Sequence, residues 1–380
     1  MITKVHARNY RSLGDVEVEL GPLTVLVGPN GSGKSNFVDV LHFLKDAFTH
    51  GLDAAIARRG GIGDMRRWSL GRPRDIALRL EFSRLWSPQL RFLSPLALAT
   101  ANGRYGLEIG SASAGQCEVK GERLHIKWEG PPEGYEIRGG KVTESTCELA
   151  TIVPTSSILA PTHPGLLVAG LVETIRGYGF YSILPNVLRE PQKPGNDWPL
   201  DTHGSNLSSV LRGMRKADSR FLPEVVRALG YVVPGIQDVR VVQVGGYLAL
   251  KLLHEDGKGR RHWFDAAQES DGTLRVLGVL TALYQDPPPA LIAIEEPELT
   301  VQPGALALLR DCIVEAADKR TQVIITTHSP DLMSLFDVDV LRVVAMTEGG
   351  TRIGPVAEWQ KQSVRDQLFS PGELMLAEGL

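Results

Sequence analysis

The sequence is poor in cysteine and has no long apolar run. Its three cysteines, Cys117, Cys147 and Cys312, stand at spacings that match neither a metal-binding motif nor a disulfide framework, as is common in a reducing cytosol. The longest uncharged stretch, residues 149–172, contains prolines among serines and threonines, which argues against a membrane helix. The opening MITKVHARNYRS holds no apolar segment typical of a signal peptide. We therefore expect a cytoplasmic protein without a membrane partner.

The sequence also lacks an excess of positive charge. A net charge of −3 excludes a general attraction to nucleic acid, so any such contact must come from a local patch. Residues 58–74 supply one, with Trp68 and several glycines among the arginines Arg58, Arg59, Arg66, Arg67, Arg72 and Arg74. A loop of this composition can follow a nucleic-acid backbone. A solvated loop whose arginines pair with nearby acids explains the same residues, and the sequence leaves both alternatives open.

What the sequence does contain is the composition of a globular protein. With 380 residues, of which 43% are hydrophobic and 22% charged, it can form one large domain or two. Alternating apolar residues predict a strand pair in ITKVHARNY and DVEVEL, a buried strand in PLTVLV and antiparallel hairpins in residues 104–148.

The second half of the chain begins with helical patterns and ends in an alternation of strands and helices. Helical spacing dominates residues 163–230, starting with LLVAGLVETIRGYGFY. Strands return at DVRVVQV, and further strands at ALIAI and QVIITT are separated by helical segments. Such alternation predicts an α/β fold with a mainly parallel core sheet covered by helices, built from both ends of the chain.

Residues 28–35, GPNGSGKS, fit the phosphate-loop pattern GxxxxGK[ST] between a predicted strand and a predicted helix. Glycines let backbone N–H groups surround phosphate oxygens, and the helix N-terminus adds partial positive charge. We predict that Lys34 reaches the β- and γ-phosphates of ATP and that the Ser35 hydroxyl ligates Mg²⁺. The other predicted nucleotide-binding residues of the loop are Asn30, Gly31, Ser32, Gly33 and Asn36. A glycine-rich turn that binds nothing is the alternative, which the strand–loop–helix context disfavours.

Two carboxylates, Glu295 and Glu296, directly follow the apolar segment ALIAI. In a phosphate-loop protein, one carboxylate at a strand end holds Mg²⁺ directly or through water, and the next polarises the attacking water. We predict the Mg²⁺ role for Glu295, whose extra methylene relative to Asp favours contact through a water. We predict the role of catalytic base for Glu296. The alternative, a solvated acidic turn, is disfavoured by the phosphate loop upstream.

Two further motifs lie close to the predicted carboxylates in sequence. In QESDGTLRVLGVL, Ser270 and Gly272 start a helix, where they form either a plain N-cap or a second anion site. In QVIITTHSP, His328 ends a predicted strand, from which a side chain can reach a γ-phosphate or the attacking water. A lone histidine is usually structural, but the order of the motifs favours a functional one.

The phosphate loop, SDGT, IEEPE and TTHSP, in that order, resemble the ABC-type ATPase head of the RecF/SMC/OLD group, in its branch of OLD-like AAA-domain ATPases. RNYRSLGDVEVEL resembles the opening strands of that group. The resemblance implies ATP as ligand and a homodimer that sandwiches two ATPs, with Ser270 and Gly272 of one copy covering the γ-phosphate held by the other. It also implies that His328 is a switch histidine and that Arg11 approaches the nucleotide, although a surface arginine fits Arg11 equally.

The resemblance implies an ATP-hydrolysing, dimerising switch that acts on DNA or controls a nuclease or other effector partner, in DNA repair or phage defence. We expect residues 1–160 to form an ATP-binding lobe with an antiparallel β-subdomain. Residues 161–235 would form an inserted helical lobe, and residues 236–380 a lobe with the signature, the carboxylates and the histidine.

The sequence departs from the family pattern at several points. It has no clear glutamine-loop residue, since Gln89 is a weak candidate, and Gln302–Pro303 replaces a common His–Pro pair. It has no heptad run for a long coiled-coil arm, and about 50 residues after His328 are too few for the nuclease domain of OLD proteins. An ABC transporter subunit is disfavoured because LSGGQ is absent. A non-hydrolysing ATP-dependent scaffold is disfavoured by Glu296 and His328.

Overall fold

The computed structural model describes residues 1–68, 74–85, 99–111, 117–139, 141–146 and 166–378. Gln89, Arg72 and Cys147 lie outside the described residues. The strands are β1 (Ile2–Tyr10), β2 (Leu13–Glu19), β3 (Leu23–Val27), β4 (Ile76–Ser83), β5 (Asn102–Ser111), β6 (Cys117–Lys127), β7 (Glu133–Arg138), β8 (Lys141–Ser145), β9 (Gly179–Tyr181), β10 (Ile236–Val244), β11 (Tyr247–Glu255), β12 (Arg261–Asp265), β13 (Leu291–Glu295), β14 (Gln322–Thr327), β15 (Leu341–Thr347) and β16 (Gly350–Pro355).

The helices of the described residues lie along the whole chain and alternate with strands mainly in its second half. They are α1 (Lys34–His50), α2 (Leu52–Ala57), α3 (Ile62–Met65), α4 (Leu166–Arg176), α5 (Pro185–Arg189), α6 (Leu207–Lys216), α7 (Phe221–Val232), α8 (Asp271–Tyr284), α9 (Leu306–Lys319), α10 (Pro330–Met333), α11 (Glu358–Arg365) and α12 (Pro371–Glu378). None of the helices in the described residues has the length and apolar composition that crossing a membrane requires.

The chain forms two compact units, and each takes segments from both ends of the chain. The first unit comprises the described residues within 1–21, 28–178 and 342–355, and the second those within 22–27, 179–341 and 356–380.

The first unit contains a largely antiparallel sheet with the strand order β8-β7-β6-β5-β4-β1-β2-β16-β15. The predicted pair β1 and β2 is antiparallel, with Val5 opposite Val18 and Ala7 opposite Val16, and all four side chains are buried. The hairpins predicted in residues 104–148 are present as β5 to β8. Helix α1 buries Phe37, Leu41 and Leu44 along one face, as the helical spacing predicts.

The second unit contains a parallel sheet with the order β3-β14-β13-β9. Its strands are largely buried because both faces of a parallel sheet are covered, and every residue of β14 is buried. The fold prediction of an α/β protein with a parallel core sheet is therefore confirmed. A second sheet, β10-β11-β12, is antiparallel and adjoins helices α6 and α7.

One helix prediction is wrong at its end. The helical pattern in LLVAGLVETIRGYGFY stops at Arg176, and Gly179–Tyr181 form β9, which pairs with β13. Gly177 and Gly179 weaken helix continuation, and the ladder with β13 satisfies the backbone of the segment.

Candidate functional site

The phosphate loop lies between β3 and α1, as predicted, and its shape depends on two glycines. Gly28 and Gly33 have positive φ angles of 153° and 108°. A Cβ on Gly28 would lie 2.1 Å from the Val344 carbonyl oxygen, and one on Gly33 would lie 2.1 Å from Thr351 Oγ1. Both positions therefore require glycine, for conformation and for space.

Lys34 is folded back into the loop. Its side chain is buried, and Nζ donates hydrogen bonds to the carbonyl oxygens of Gly28 at 2.8 Å and Pro29 at 2.9 Å. Helix α1 has no side-chain N-cap and no acidic residue in its first turn. Ser32 Oγ is buried and has no hydrogen-bond partner among the described residues. A cation, an unpartnered hydroxyl and an uncapped helix start fit a bound phosphate.

Thr351 and Ser12, which the sequence did not single out, hold the phosphate loop through hydrogen bonds. Thr351, buried on β16, donates from Oγ1 to the carbonyl oxygen of Ser32 at 2.8 Å. The same hydroxyl lies 2.7 Å from Ser12 Oγ, which also accepts a 2.7 Å hydrogen bond from Asn36 Nδ2. The predicted loop residue Asn36 thus contacts the chain between β1 and β2. Asn30, Gly31 and Ser35 are exposed on the loop.

Arg11 lies between β1 and β2 and points to the helix that follows the phosphate loop. Its guanidinium is 3.2 Å from Asp39 on α1. The Asp39 carboxylate also accepts a 2.6 Å hydrogen bond from Tyr10 and pairs with Arg59 at 2.8 Å. Burial acts in the opposite direction, but the hydrogen bonds and charge of Arg59 lower the pKa of Asp39. Arg11 therefore makes an ion pair within the protein, with Asp39.

Three arginines of the basic stretch contact side chains of the protein. Arg59 is buried and pairs with Asp39 and Asp46, and Arg58 lies 3.3 Å from Asp46. These two arginines hold α2 against α1, as the alternative of pairing with acids predicted. Arg66 donates to Ser111 Oγ at 2.9 Å.

In the second unit, three parallel strands place the other candidate residues at one edge. Val27, which precedes the phosphate loop, is in register with Thr327, and Glu295 is in register with Thr326. Carboxyl ends of parallel strands lie at the same edge of a sheet. Within this unit, β3 therefore ends at the edge where β13 ends at Glu295 and where β14 is followed by His328.

Glu296 and His328 form a hydrogen-bonded pair. His328 Nδ1 is 2.8 Å from Glu296 Oε1, and the Glu296 backbone N–H donates to the Thr326 carbonyl at 2.9 Å. Glu296 has a φ angle of 45°, a left-handed conformation that costs an L-residue about 1 to 2 kcal/mol. The hydrogen bonds on both sides hold the residue in this conformation, which aims its carboxylate at the histidine.

Glu298 is a third carboxylate at this edge that the sequence reasoning missed. It is buried, it accepts a hydrogen bond from Thr327 Oγ1, and its Oε2 has no partner among the described residues. Burial raises its pKa. The signal was its position two residues after Glu296 in the same short motif.

Ser270 and Gly272 lie at the start of α8. Ser270 Oγ accepts a 3.1 Å hydrogen bond from the Thr273 backbone N–H, so it is the N-cap of the helix. A Cβ on Gly272 would lie 2.4 Å from the Thr300 carbonyl oxygen. The helix start thus packs against the segment that follows the carboxylates, and glycine is needed for that approach.

The chain is similar to known proteins in family, in sequence and in structure. Residues 144–334 match the family described as "AAA domain, putative AbiEii toxin, Type IV TA system", and residues 1–76 match the AAA ATPase domain family. The chain is 39% identical to the DNA replication and repair protein RecF of Corynebacterium jeikeium over 62 residues, which are 16% of this chain and 15% of RecF. It is 22% identical to the Old nuclease of Escherichia phage P2 over 357 residues, which are 88% of this chain and 57% of the nuclease.

A shorter match joins the chain to another OLD nuclease, and solved SMC heads share its fold. The match to the OLD nuclease of Thermus scotoductus is 45% identical over 38 residues, 10% of this chain and 7% of the nuclease. The SMC head bound to the C-winged helix domain of ScpA gives a TM-score of 0.60 at 15% identity, covering 95% of this chain and 99% of that one. The SMC head with an extended coiled coil, bound to the C-terminal domain of Pyrococcus furiosus ScpA, gives 0.58 at 11% identity, covering 97% and 99%.

These matches confirm the predicted resemblance to the RecF/SMC/OLD group and the ATPase-head fold. The likeness to the SMC heads concerns the fold alone. The chain spans 15%, 7% and 57% of the lengths of the three curated relatives that it matches.

Proposed function

Because the chain belongs to this AAA-domain family and has the ATPase-head fold, we propose that it binds and hydrolyses ATP and acts as a dimerising switch. ATP binding joins two copies, and the switch acts on DNA or controls a nuclease or other effector partner. The observation that carries this proposal is the hydrogen-bonded pair of Glu296 and His328 at the strand edge where the phosphate loop begins.

ATP binding is supported by the loop itself. The Lys34 ammonium now bonds two carbonyl oxygens of the loop, and we propose that phosphate oxygens replace them. The charge-assisted hydrogen bond to a phosphate is stronger than a hydrogen bond to a neutral carbonyl. Ser32 Oγ and the uncapped start of α1 add donors that have no side-chain partner among the described residues.

Mg²⁺ fits the donors that the chain offers. Ser35 is exposed on the loop and Glu295 is half-buried at the end of β13, and both present the hard oxygen ligands that Mg²⁺ prefers. No cluster of three metal-binding side chains occurs in the part of the chain that the structure describes. When bound, Mg²⁺ supplies positive charge to the phosphate oxygens.

Hydrolysis requires a group that takes a proton from water. We assign this role to Glu296, whose carboxylate accepts the proton as the water oxygen bonds to the γ-phosphorus and the bond to the ADP oxygen breaks. His328 holds Glu296 through Nδ1. Its Nε2 is the ring nitrogen that we assign to the γ-phosphate.

The names of the relatives support the proposed partners. Two of these relatives are named as nucleases and one as a DNA replication and repair protein, which favours a role on DNA or with a nuclease. In the dimer, we assign Ser270 and Gly272 to the γ-phosphate held by the other copy. Ser270 already caps α8, so the phosphate would be received by a helix start that is preorganised.

The test is the substitution Glu296→Gln. The amide cannot accept a proton, so we expect phosphate release to fall by about 100-fold or more, while ATP affinity measured by calorimetry stays within a few-fold. The matched control is Glu358→Gln on α11, whose side chain is 80% exposed and which should keep the parental rate.

Two results would contradict the assignment. If Glu296→Gln releases phosphate at the parental rate, the catalytic base is elsewhere. If the parent binds ATP but releases no phosphate, the protein is a scaffold and not an ATPase.

A further inference from the structure

The first unit contains a cleft of about 620 Å³ that receives arginines from four separate segments. Arg8 lies on β1, Arg67 follows α3, Arg74 precedes β4 and Arg352 lies on β16. Two of these, Arg67 and Arg74, belong to the basic stretch of the sequence. The other two, which lie 344 positions apart by their numbers, come from strands whose sequence gave no basic signal.

Among the described residues, Arg8 is the one cleft arginine that makes an ion pair. The acids at its walls are Asp15, Asp75 and Glu108. Glu108 lies 3.9 Å from Arg8, and Asp15 is hydrogen-bonded to His6 at 2.6 Å. In the described residues, the guanidinium groups of Arg67, Arg74 and Arg352 make no ion pair or hydrogen bond. Three guanidinium groups are therefore available to an anion in a cleft that is accessible to solvent.

Arg67 is held in place by the backbone around it. Its N–H donates to the Asn9 carbonyl at 2.9 Å. A Cβ on Gly14 would lie 2.6 Å from its Nη1, and one on Gly350 would lie 3.2 Å from its Cζ. The guanidinium thus lies over two glycines that leave room for it. Such a placement reduces the side-chain entropy that binding would otherwise cost.

We infer that the arginine cleft binds backbone phosphates of a nucleic acid. Guanidinium groups form strong, often bidentate hydrogen bonds with phosphate oxygens. Three guanidinium groups without ion pairs in one cleft offer several phosphate contacts, which suits the repeated phosphates of a nucleic acid. Trp68, next to Arg67, is 79% exposed and offers a face on which a base can stack. This inference rests on the proposed function and names a site for its DNA-binding part.

The experiment measures binding of a fluorescein-labelled oligonucleotide, single-stranded or duplex, to the full chain by anisotropy, without ATP. Three phosphate contacts on duplex DNA predict a salt slope of about −2.7, so affinity should fall roughly 40-fold between about 50 and 200 mM salt. The double substitution R67A/R352A should weaken binding at low salt by about 10-fold or more and reduce the slope by about two.

The control removes the same charge elsewhere. R104A/R260A deletes two exposed arginines that are paired with Glu81 and Asp256, and it should bind like the parent. Three results would overturn the inference: no nucleic acid bound at low salt, equal weakening by the two double substitutions, or binding of inorganic phosphate and ATP in the cleft without binding of oligonucleotides.

ATP hydrolysis without nucleic acid is measured on the same proteins. If the parent hydrolyses ATP but binds no oligonucleotide, the arginine cleft fails and the ATPase proposal stands. If it binds oligonucleotide through Arg67 and Arg352 but does not hydrolyse ATP, the cleft stands and the ATPase proposal fails.

Discussion

Glu122, on β6, is a buried carboxyl whose replacement by glutamine should remove a cost to stability that grows with pH. Its Oε1 accepts hydrogen bonds from the hydroxyls of Tyr105 at 2.9 Å and Tyr135 at 3.0 Å, and its Oε2 has no partner among the described residues. Burial raises the pKa of Glu122 from 4.5 to about 7, although the two tyrosine hydrogen bonds act in the opposite direction.

The sign and size of the effect follow from this pKa. Because the folded protein holds the proton more tightly than the unfolded chain, the carboxyl costs nothing at low pH. Its cost grows as pH rises from 4.5, the unfolded value, through about 7, the folded value. At about 1.4 kcal/mol per pKa unit, the full cost is about 3 kcal/mol, most of which appears between about pH 5 and pH 8.

The assay is urea denaturation of the parent and Glu122→Gln in parallel at about pH 5 and pH 8. The amide keeps an oxygen for the two tyrosines. Its NH₂ group lacks a partner at both pH values, so that cost cancels in the difference. We expect the stability of the variant relative to the parent to improve by about 2 to 3 kcal/mol from the lower to the higher pH.

The matched control is Glu136→Gln on the neighbouring strand β7. The hydrogen bond from Arg138, followed by the charges of Arg123 and Arg138, lowers the pKa of Glu136, so its carboxylate stabilises the fold above its unfolded pKa. This variant should gain nothing as pH rises. A pH-independent difference for Glu122→Gln, or the same trend in both variants, would refute the reasoning.

The remaining predictions concern the phosphate loop. Lys34→Ala should abolish ATP binding in calorimetry, because the phosphates lose their cation, and near-normal affinity would contradict the loop assignment. Thr351→Val should weaken ATP binding by roughly 10-fold, because the Ser32 carbonyl loses its buried donor. Its control is Thr49→Val: the Thr49 hydroxyl donates to the Lys45 carbonyl within α1, and this variant should bind ATP normally.

The fold could be predicted where its signals are local. The apolar run of β3, the glycines after it and the helical spacing of α1 lie within about thirty residues, so periodicity and turn chemistry suffice. β12 and β16 were missed. The residues of β16, Gly350–Pro355, include glycine and proline, and they form a strand because β15 pairs with them along their whole length. Pairing of that kind overrides weak local propensity.

In the candidate site, too, residues with local sequence signals could be predicted and residues that depend on long-range contacts could not. Lys34, Ser35, Glu296 and His328 lie in motifs whose order along the chain can be recognised. Thr351 bonds a carbonyl 319 residues away, so no local pattern could connect it with the loop. Glutamate is usually a surface residue, and Glu298 differs because it is buried. That burial depends on the packing of the whole strand edge.

In the proposed function, two copies of the chain form the ATP-hydrolysing sites together. Lys34→Ala and Ser270→Arg should each be inactive alone. Lys34→Ala lacks the cation of the phosphate loop, and Ser270→Arg lacks the hydroxyl assigned to the γ-phosphate held by the other copy. In a mixed dimer, one site carries both defects and the other carries none.

The most direct measurement is therefore the ATPase activity of a mixture of these two variants. We expect an equal mixture to recover about a quarter of the parental activity, since half the dimers are mixed and one of their two sites is intact. The double variant Lys34→Ala/Ser270→Arg, mixed with the parent, should give heterodimers without an intact site. No recovered activity in the first mixture, with heterodimers shown by native mass spectrometry, would contradict a site shared between two copies.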